Sequence, residues 1–200
     1  MDPYERVLRD AGYSCIAGAD EAGRGACAGP LVAAAVILGD EVPAGLDDSK
    51  RLTPACRDAL FNTILATARA VAIASAGPAE CDAGIQRANL RALRDAVVGL
   101  SPAPGFAIVD GFAVPGLPCP SIGMWKGDQL VAAVSAASII AKVTRDRVMV
   151  ALDERYPGYG FAVHKGYVTR LHQRALVELG PCPEHRRSFR NVSSLCDVTG

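Results

Sequence analysis

The stretch Ser14-Cys-Ile-Ala-Gly-Ala-Asp20-Glu21-Ala-Gly23-Arg24-Gly25-Ala-Cys-Ala-Gly-Pro30-Leu-Val-Ala-Ala-Ala-Val-Ile-Leu38 decides how the chain folds. Ser14 to Ala19 and Pro30 to Leu38 are short apolar, β-rich runs, and the glycine-rich segment between them supplies a tight connection. Two strands follow, with Asp20 and Glu21 at the end of the first. Side chains alternate along a strand, so Asp20 and Glu21 point to opposite faces and only one is expected to face straight into a site.

Outward from this pair, helix and strand signals alternate. Thr53-Pro54 is a cap with proline at the first helical position, and Leu60, Ile64 and Ala68 repeat at helical spacing, which predicts a helix from about Pro54 to Arg69. Val71 to Ala76 reads as a strand, Pro78 opens a short helical stretch, and Asn89 to Val98 reads as a helix stopped by Gly99. Phe106-Ala-Ile-Val109 is a buried strand ending in Asp110, and Pro120 to Met124 a further short strand. A long helix starts at Gly127-Asp128, with Leu130, Val134, Ala137, Ala141, Val148 and Leu152 on its apolar face and Ser135, Ser138, Lys142, Arg145 and Met149 on another. Pro157-Gly158 ends it, and a last helix is read from about Tyr167 to Leu179. Strands alternating with helices give an α/β fold, one domain over 1–191 with a C-terminal helical segment; 192–200 shows no periodicity and is expected to be a mobile tail.

Composition agrees with one compact domain. Of 200 residues half are apolar, far from the composition of a disordered chain. Lys plus Arg and Asp plus Glu both number 21, so any nucleic-acid site must come from local clustering of cations. Residues 1–10 lack the apolar run of a signal peptide, and Leu31 to Leu38 is too short to span a bilayer, so a cytoplasmic, non-membrane protein is expected. Seven scattered cysteines without a CxxC pair read as reduced, packed thiols, and Cys182-Pro-Glu-His185 lacks the second pair that a zinc site needs.

Asp20, Glu21, Asp110 and Asp128 all fall at strand ends or the loops beyond them, where reactive groups of α/β sheets collect. Brought together, they would repel one another and raise one another's pKa unless cations compensated. Oxygen-only ligands suit Mg²⁺ or Mn²⁺, and two such ions about 4 Å apart can activate water and stabilise the leaving oxygen in a phosphoryl displacement. The same acids also suit caps and turns, Asp128 above all.

Asp20-Glu-Ala-Gly-Arg-Gly25 resembles the signature that opens the catalytic site of the ribonuclease HII family. Further motifs agree in order: Asp48-Ser-Lys-Arg-Leu52, Val109-Asp-Gly111, Lys126-Gly-Asp128, Ala136 to Val143 with Arg145-Asp146, Gly158-Tyr-Gly-Phe161, His164-Lys-Gly-Tyr167 with Thr169 and His172, and His185-Arg with Ser188-Phe189. The resemblance covers nearly the whole chain. It implies a ribonuclease H-like fold with a central mixed sheet, and an endonuclease acting on RNA–DNA hybrids and on duplex DNA containing ribonucleotides. It also implies that Asp20, Glu21, Asp110 and Asp128 hold two divalent ions, and that Gly23, Arg24, Gly25 and Tyr167 recognise the ribose 2′-hydroxyl at the RNA-to-DNA step.

Glycines allow close backbone approach to a sugar, and an aromatic ring can stack on the next deoxyribose. Lys50, Lys142, Arg145, His164 and Lys165 are candidate phosphate contacts, Ser138 shares the helix face of Lys142 and Arg145, and Asn89 is a candidate backbone contact. A monomer is expected. Two rivals stay open at this stage: ribonuclease HIII, which carries an additional N-terminal domain where about a dozen residues precede the first strand here, and a silent nucleic-acid-binding module of the same fold, against which all four acids weigh.

Overall fold

The structure, a computed structural model, describes residues 3–46, 49 and 52–196. Lys50 and most of its motif therefore lie outside the described residues. Five strands form one mixed sheet: β1 (Ile16–Ala22), β2 (Leu31–Ile37), β3 (Ala70–Ala76), β4 (Phe106–Asp110) and β5 (Ser121–Met124), in the order β3-β2-β1-β4-β5. The β1-β2 and β2-β3 pairs are antiparallel, whereas β4 runs parallel to β1 and β5 parallel to β4. Parallel pairing brings the C-terminal ends of β1 and β4, and hence Asp20, Glu21 and Asp110, to the same edge.

Helices α1 (Pro3–Asp10), α2 (Pro54–Thr67), α3 (Pro78–Asp82), α4 (Ile85–Val98), α5 (Gly127–Leu130), α6 (Ala132–Arg155), α7 (Phe161–His164), α8 (Arg170–Leu179) and α9 (Arg190–Cys196) complete the described chain. Helix α6 and the apolar face of α2 pack with Ile16, Ala22, Ala34 and Val36 on one face of the sheet. Helix α4 covers Ala17, Ala19, Leu31, Ala33 and Ala35 on the other. Fully buried side chains such as Ile139 and Leu93 each contribute roughly 1.5–3 kcal/mol by leaving water.

Small residues set the spacing between α6 and the sheet. A Cβ added at Gly18 would stand 2.1 Å from the Ala133 carbonyl carbon, so the helix backbone rests directly on β1. This close approach buries Ala133 to Ala141 without interruption, and the separate apolar and polar faces read from the sequence exist only beyond it. There the buried residues are Val143, Arg145 and Met149, while Val148 is only half-buried.

Boundaries differ from the sequence reading where tertiary contacts decide them. Val131, in extended conformation, breaks the long helix into α5 and α6. The buried Glu5 of α1 accepts a hydrogen bond from the Ala133 amide at 3.2 Å, so a polar segment that gave no helix signal caps a helix more than a hundred residues away. Helix α4 starts one turn before Asn89, and the helix read from Tyr167 starts at Arg170, with Thr169 accepting from the His172 amide. Part of the expected mobile tail is helical: α9 buries Val192 against Cys27 and Leu176, whereas 197–200 lie outside the described residues.

Candidate active site

An open cavity of about 770 Å³ lies over the C-terminal ends of β1 and β4 and is lined by Asp20, Glu21, Gly23, Arg24, Gly25, Asp110, Ser138, Lys142 and Tyr167, among others. Asp20 shares the parity of Ile16 and Ala22 and faces α6, whereas Glu21 shares that of Ala17 and Ala19 and faces α4. The two acids do point to opposite faces, as alternation requires. Both nevertheless line the cavity, because it wraps around the end of the strand and is reached from both sides.

Asp20 is 5% exposed. Burial, followed by the charges of Glu21 and Asp110, pushes its carboxyl well above the usual carboxylate range, while the Ser138 hydroxyl and the Glu21 amide favour its charged form. The Glu21 carboxyl is pushed up to about 7, again by burial first and the Asp110 charge second; Arg24 and Asn89 pull it down. Glu21 Oε2 is buried without a hydrogen-bond partner, and Asn89, fully buried beside it, completes no side-chain hydrogen bond of its own. Asp110 Oδ1 accepts from the Gly127 amide at 2.7 Å, which ties β4 to α5. Asp128, the next residue, is 5% exposed in α5 and does not line the cavity.

Three buried or half-buried acids, two of them pushed up by burial and by neighbouring negative charge, with an orphaned carboxylate oxygen among them, form a donor set suited to a hard cation. The fit is chemical rather than geometric at present: among the described residues no group of three or more His, Cys, Asp or Glu side chains is arranged to hold a metal ion. The acids ring the sheet end without closing on one point.

The Gly23-Arg24-Gly25 loop is held from beneath by two fully buried arginines. Arg145 donates from Nε to the Pro30 carbonyl at 2.9 Å and from Nη2 to the Ala28 carbonyl at 3.1 Å. Arg186 donates from Nε and Nη2 to the Gly29 carbonyl at 3.1 and 2.9 Å, and from Nη1 to the Arg24 carbonyl at 3.0 Å. Gly23 has φ of +87°, and a Cβ there would meet Arg145 Nε at 1.8 Å, so only glycine fits against the clamp. Above the loop, Arg24 Nη2 donates to Gln86 Oε1 at 2.7 Å, and its guanidinium lies 4.7 Å from the Phe112 ring centroid.

Several expected contacts are corrected by burial. Arg145 is 0% exposed and turned toward backbone carbonyls, so it braces the loop and does not meet a phosphate. His164 is buried, with Nε2 against the Tyr159 carbonyl at 2.8 Å and Nδ1 accepting from the Gly166 amide at 3.1 Å. Asn89 lies under Glu21, out of reach of a nucleic-acid backbone. Ser138 lines the cavity but is 4% exposed, its hydroxyl 2.8 Å from that of Ser49.

Lys142 and Lys165 are half-buried and line a second groove with Arg57 and Arg147; Lys142 also borders the acidic cavity and pairs with Asp146 at 2.8 Å. Lys165 Nζ donates to the Ala162 carbonyl. Tyr167 is 38% exposed, its ring 5.3 Å from the Arg145 guanidinium. Sequence reasoning missed Arg186 and Gln86. The first lay inside a quoted motif without a role, and nothing local marks the second.

The family model Ribonuclease HII matches residues 17–192. A ribonuclease HII from Cutibacterium acnes is 58% identical over 193 residues, which is 94% of this chain and 95% of the relative. One from Salinispora arenicola is 53% identical over 201 residues, 98% of this chain and 74% of the relative. The crystal structure of ribonuclease H2 from Pyrococcus horikoshii superposes with a TM-score of 0.79 at 28% identity, covering 92% of this chain and 97% of that one. The mixed sheet flanked by helices is therefore the ribonuclease H-like fold that the motifs implied, and the chain belongs to the ribonuclease HII family.

Proposed function

We propose that this chain is a divalent-metal-dependent endonuclease that hydrolyses the phosphodiester 5′ of a ribonucleotide embedded in duplex DNA and degrades the RNA of RNA–DNA hybrids, leaving 3′-hydroxyl and 5′-phosphate ends. Its family makes it a ribonuclease H, a hydrolase of the RNA in RNA–DNA hybrids. The observation that carries the finer reading is the meeting of Asp20, Glu21 and Asp110 with the Gly23-Arg24-Gly25 loop and Tyr167 in one cavity.

Asp20, Glu21 and Asp110 would hold two Mg²⁺ or Mn²⁺ ions, with Asp128 joining from α5. Bound there, such ions would lower the pKa of a water and neutralise charge on the leaving oxygen. The protein's own contribution is orientation. Burial keeps the carboxylates poorly solvated and therefore ready to accept a cation, and the Asp110 bond to the Gly127 amide fixes one of them. The braced loop presents backbone groups to the ribose, Arg24 is preorganised by Gln86 and Phe112, and Tyr167 stands across the cavity against the deoxyribose that follows. Lys142 supplies positive charge beside the scissile phosphate. Among the described residues no helix is long and apolar enough to cross a membrane.

The deciding experiment incubates the protein with Mg²⁺ or Mn²⁺ and end-labelled duplexes holding one ribonucleotide, a run of them, or none. Cleavage 5′ of the single ribonucleotide, dependent on metal and absent from all-DNA duplex, is expected. Cleavage of ribonucleotide runs alone would restrict the function to hybrids, and indifference to Tyr167→Ala would remove the tyrosine from junction reading.

A further inference from the structure

All three histidines of the chain lie together beneath Tyr167. The rings of His164 and His172 stack at 4.2 Å between centroids, and His172 meets His185 edge to edge, Nε2 to Nε2, at 2.9 Å. His172 Nδ1 lies 3.0 Å from the Tyr167 carbonyl oxygen, and His185 Nδ1 lies 3.0 Å from the Cys182 amide nitrogen.

His185 Nδ1 also lies 3.3 Å from the Cys182 carbonyl oxygen, but the Cys182 amide is nearer at 3.0 Å, and one arrangement of protons satisfies all the shorter contacts. A backbone amide can only donate, so His185 Nδ1 accepts from Cys182 and its proton sits on Nε2. That proton is donated to His172 Nε2, which must be bare, so His172 carries its proton on Nδ1 and donates it to the Tyr167 carbonyl. The same logic makes His164 an Nε2–H tautomer, accepting from the Gly166 amide and donating to the Tyr159 carbonyl.

We propose that His172 and His185 are positioning residues for Tyr167: a neutral, one-directional relay from the Cys182 amide through both imidazoles to the Tyr167 carbonyl, fixing where the phenol ring stands in the cleft. The inference rests on the reading of Tyr167 as the group that aligns the substrate beyond the ribonucleotide. Three contacts converge on the segment that carries this residue. The relay holds its carbonyl, His164 holds the preceding Gly166 amide, and the Gly166 carbonyl accepts from the Cys27 amide at 3.0 Å and the Ala28 amide at 3.3 Å, joining the turn to the braced loop. Tyrosine turn and glycine loop, far apart in sequence, thus form one rigid frame around the cavity.

The groups facing the two rings are His164, the thiols of Cys27 and Cys182, and the rings of Tyr159 and Phe161, none of them a carboxylate. A second proton on His172 would meet a donor head-on at Nε2, whereas one on His185 Nδ1 would face the Cys182 amide at 3.0 Å and the Cys182 carbonyl at 3.3 Å. In agreement, burial holds both rings at about 4, neutral at physiological pH.

Two measurements test the relay. Long-range ¹H–¹⁵N NMR of the histidines in the wild-type protein near neutral pH is expected to show Nδ1–H for His172 and Nε2–H for His185 and His164; an Nε2–H tautomer at His172, or a charged ring, overturns the proposal whether or not any variant folds. Single-turnover cleavage at one ribonucleotide and duplex Kd are then compared for His172→Phe, which keeps a ring without a donor, and His172→Asn, which keeps an amide N–H where Nδ1–H stands. His172→Phe is expected to slow cleavage roughly tenfold with little change in Kd, since sub-ångström to 1 Å misplacement costs up to about a hundredfold. His172→Asn should recover most of the rate, and His172→Phe should add nothing in a Tyr167→Ala background. A wild-type rate for His172→Phe beside a slow Tyr167→Ala, or full additivity of the two, overturns the relay alone. A wild-type rate for Tyr167→Ala instead overturns the reading of the tyrosine and the relay with it.

Discussion

Gly23 and Gly25 have equal standing in the sequence, yet the structure separates their tasks, and alanine at each position should expose the difference. At Gly23 the added Cβ would meet Arg145 Nε at 1.8 Å and Cδ at 2.4 Å, with φ at +87°. Left-handed backbone costs an alanine about 1–2 kcal/mol. Arg145 cannot retreat without loosening at least one bond to the Pro30 or Ala28 carbonyl, and a hydrogen bond from a charged group contributes about 1.5–3 kcal/mol. Gly23→Ala is thus expected to lose roughly 3–5 kcal/mol, about 6–20 °C in Tm for a chain of this size, and to cleave poorly because the loop has moved. At Gly25 no atom lies within 4 Å of the added Cβ, so Gly25→Ala should keep its stability to within about 1 kcal/mol. Any loss of cleavage there reports on approach to the ribose. Urea unfolding and single-turnover cleavage of both variants check this. A Gly23→Ala midpoint equal to wild type, or equal destabilisation of the two, would refute the clamp.

Three further expectations follow from the same geometry. His172 and His185 sit at about 4 when folded against an unfolded value near 6.5, so the unfolded chain takes up protons first and stability falls as pH drops from about 6.5 to 4, by roughly 3 kcal/mol for one ring; a flat urea midpoint in His172→Phe and wild type alike would contradict this. Glu21 acts with the opposite sign: held at about 7, it keeps a proton that the unfolded chain releases from about 4.5 upward, so its contribution to metal-free stability is lost as pH rises from 4.5 to 7. Glu21→Gln should therefore stabilise the protein in EDTA above pH 7 and weaken the rise in Tm that excess Mg²⁺ gives wild type; identical melting curves would place Glu21 outside the ion site. Asp110→Asn keeps an oxygen for the Gly127 amide but loses the charge, so the fold and duplex binding should survive while cleavage falls by on the order of 10²–10³-fold, and near-wild-type turnover would exclude Asp110 from the chemistry.

Legibility in the sequence followed the range of the interactions involved. Strand ends and turns are local, so the position of Asp20, Glu21 and Asp110 could be read from short apolar runs and the residues that stop them. Parity along β1 put Asp20 and Glu21 on opposite faces, and the wrapping of the cavity around the strand end, which lets both line it, was invisible. Arg145 and His164 were misjudged for a shared reason. A polar side chain on a helix face or in a turn is locally indistinguishable from a solvated one, and what buries Arg145 are the carbonyls of Ala28 and Pro30, more than a hundred residues upstream. Helix α1 escaped notice because its only buried side chain is a glutamate whose partner amide belongs to α6.

These long-range contacts also explain how a chain with no net charge can serve a polyanionic substrate. Arg145 and Arg186 are fully buried and donate to backbone carbonyls, and among the described residues neither forms an ion pair. Both lie directly beneath the loop that faces the proposed ribose. Poor screening in the interior lets such charges act over several ångströms, which favours phosphate near the loop. Surface lysines could provide the same attraction only at the expense of salt sensitivity and mobility. Placing the cations under the glycine loop fixes its shape and its potential together, and it makes Gly23 indispensable to both.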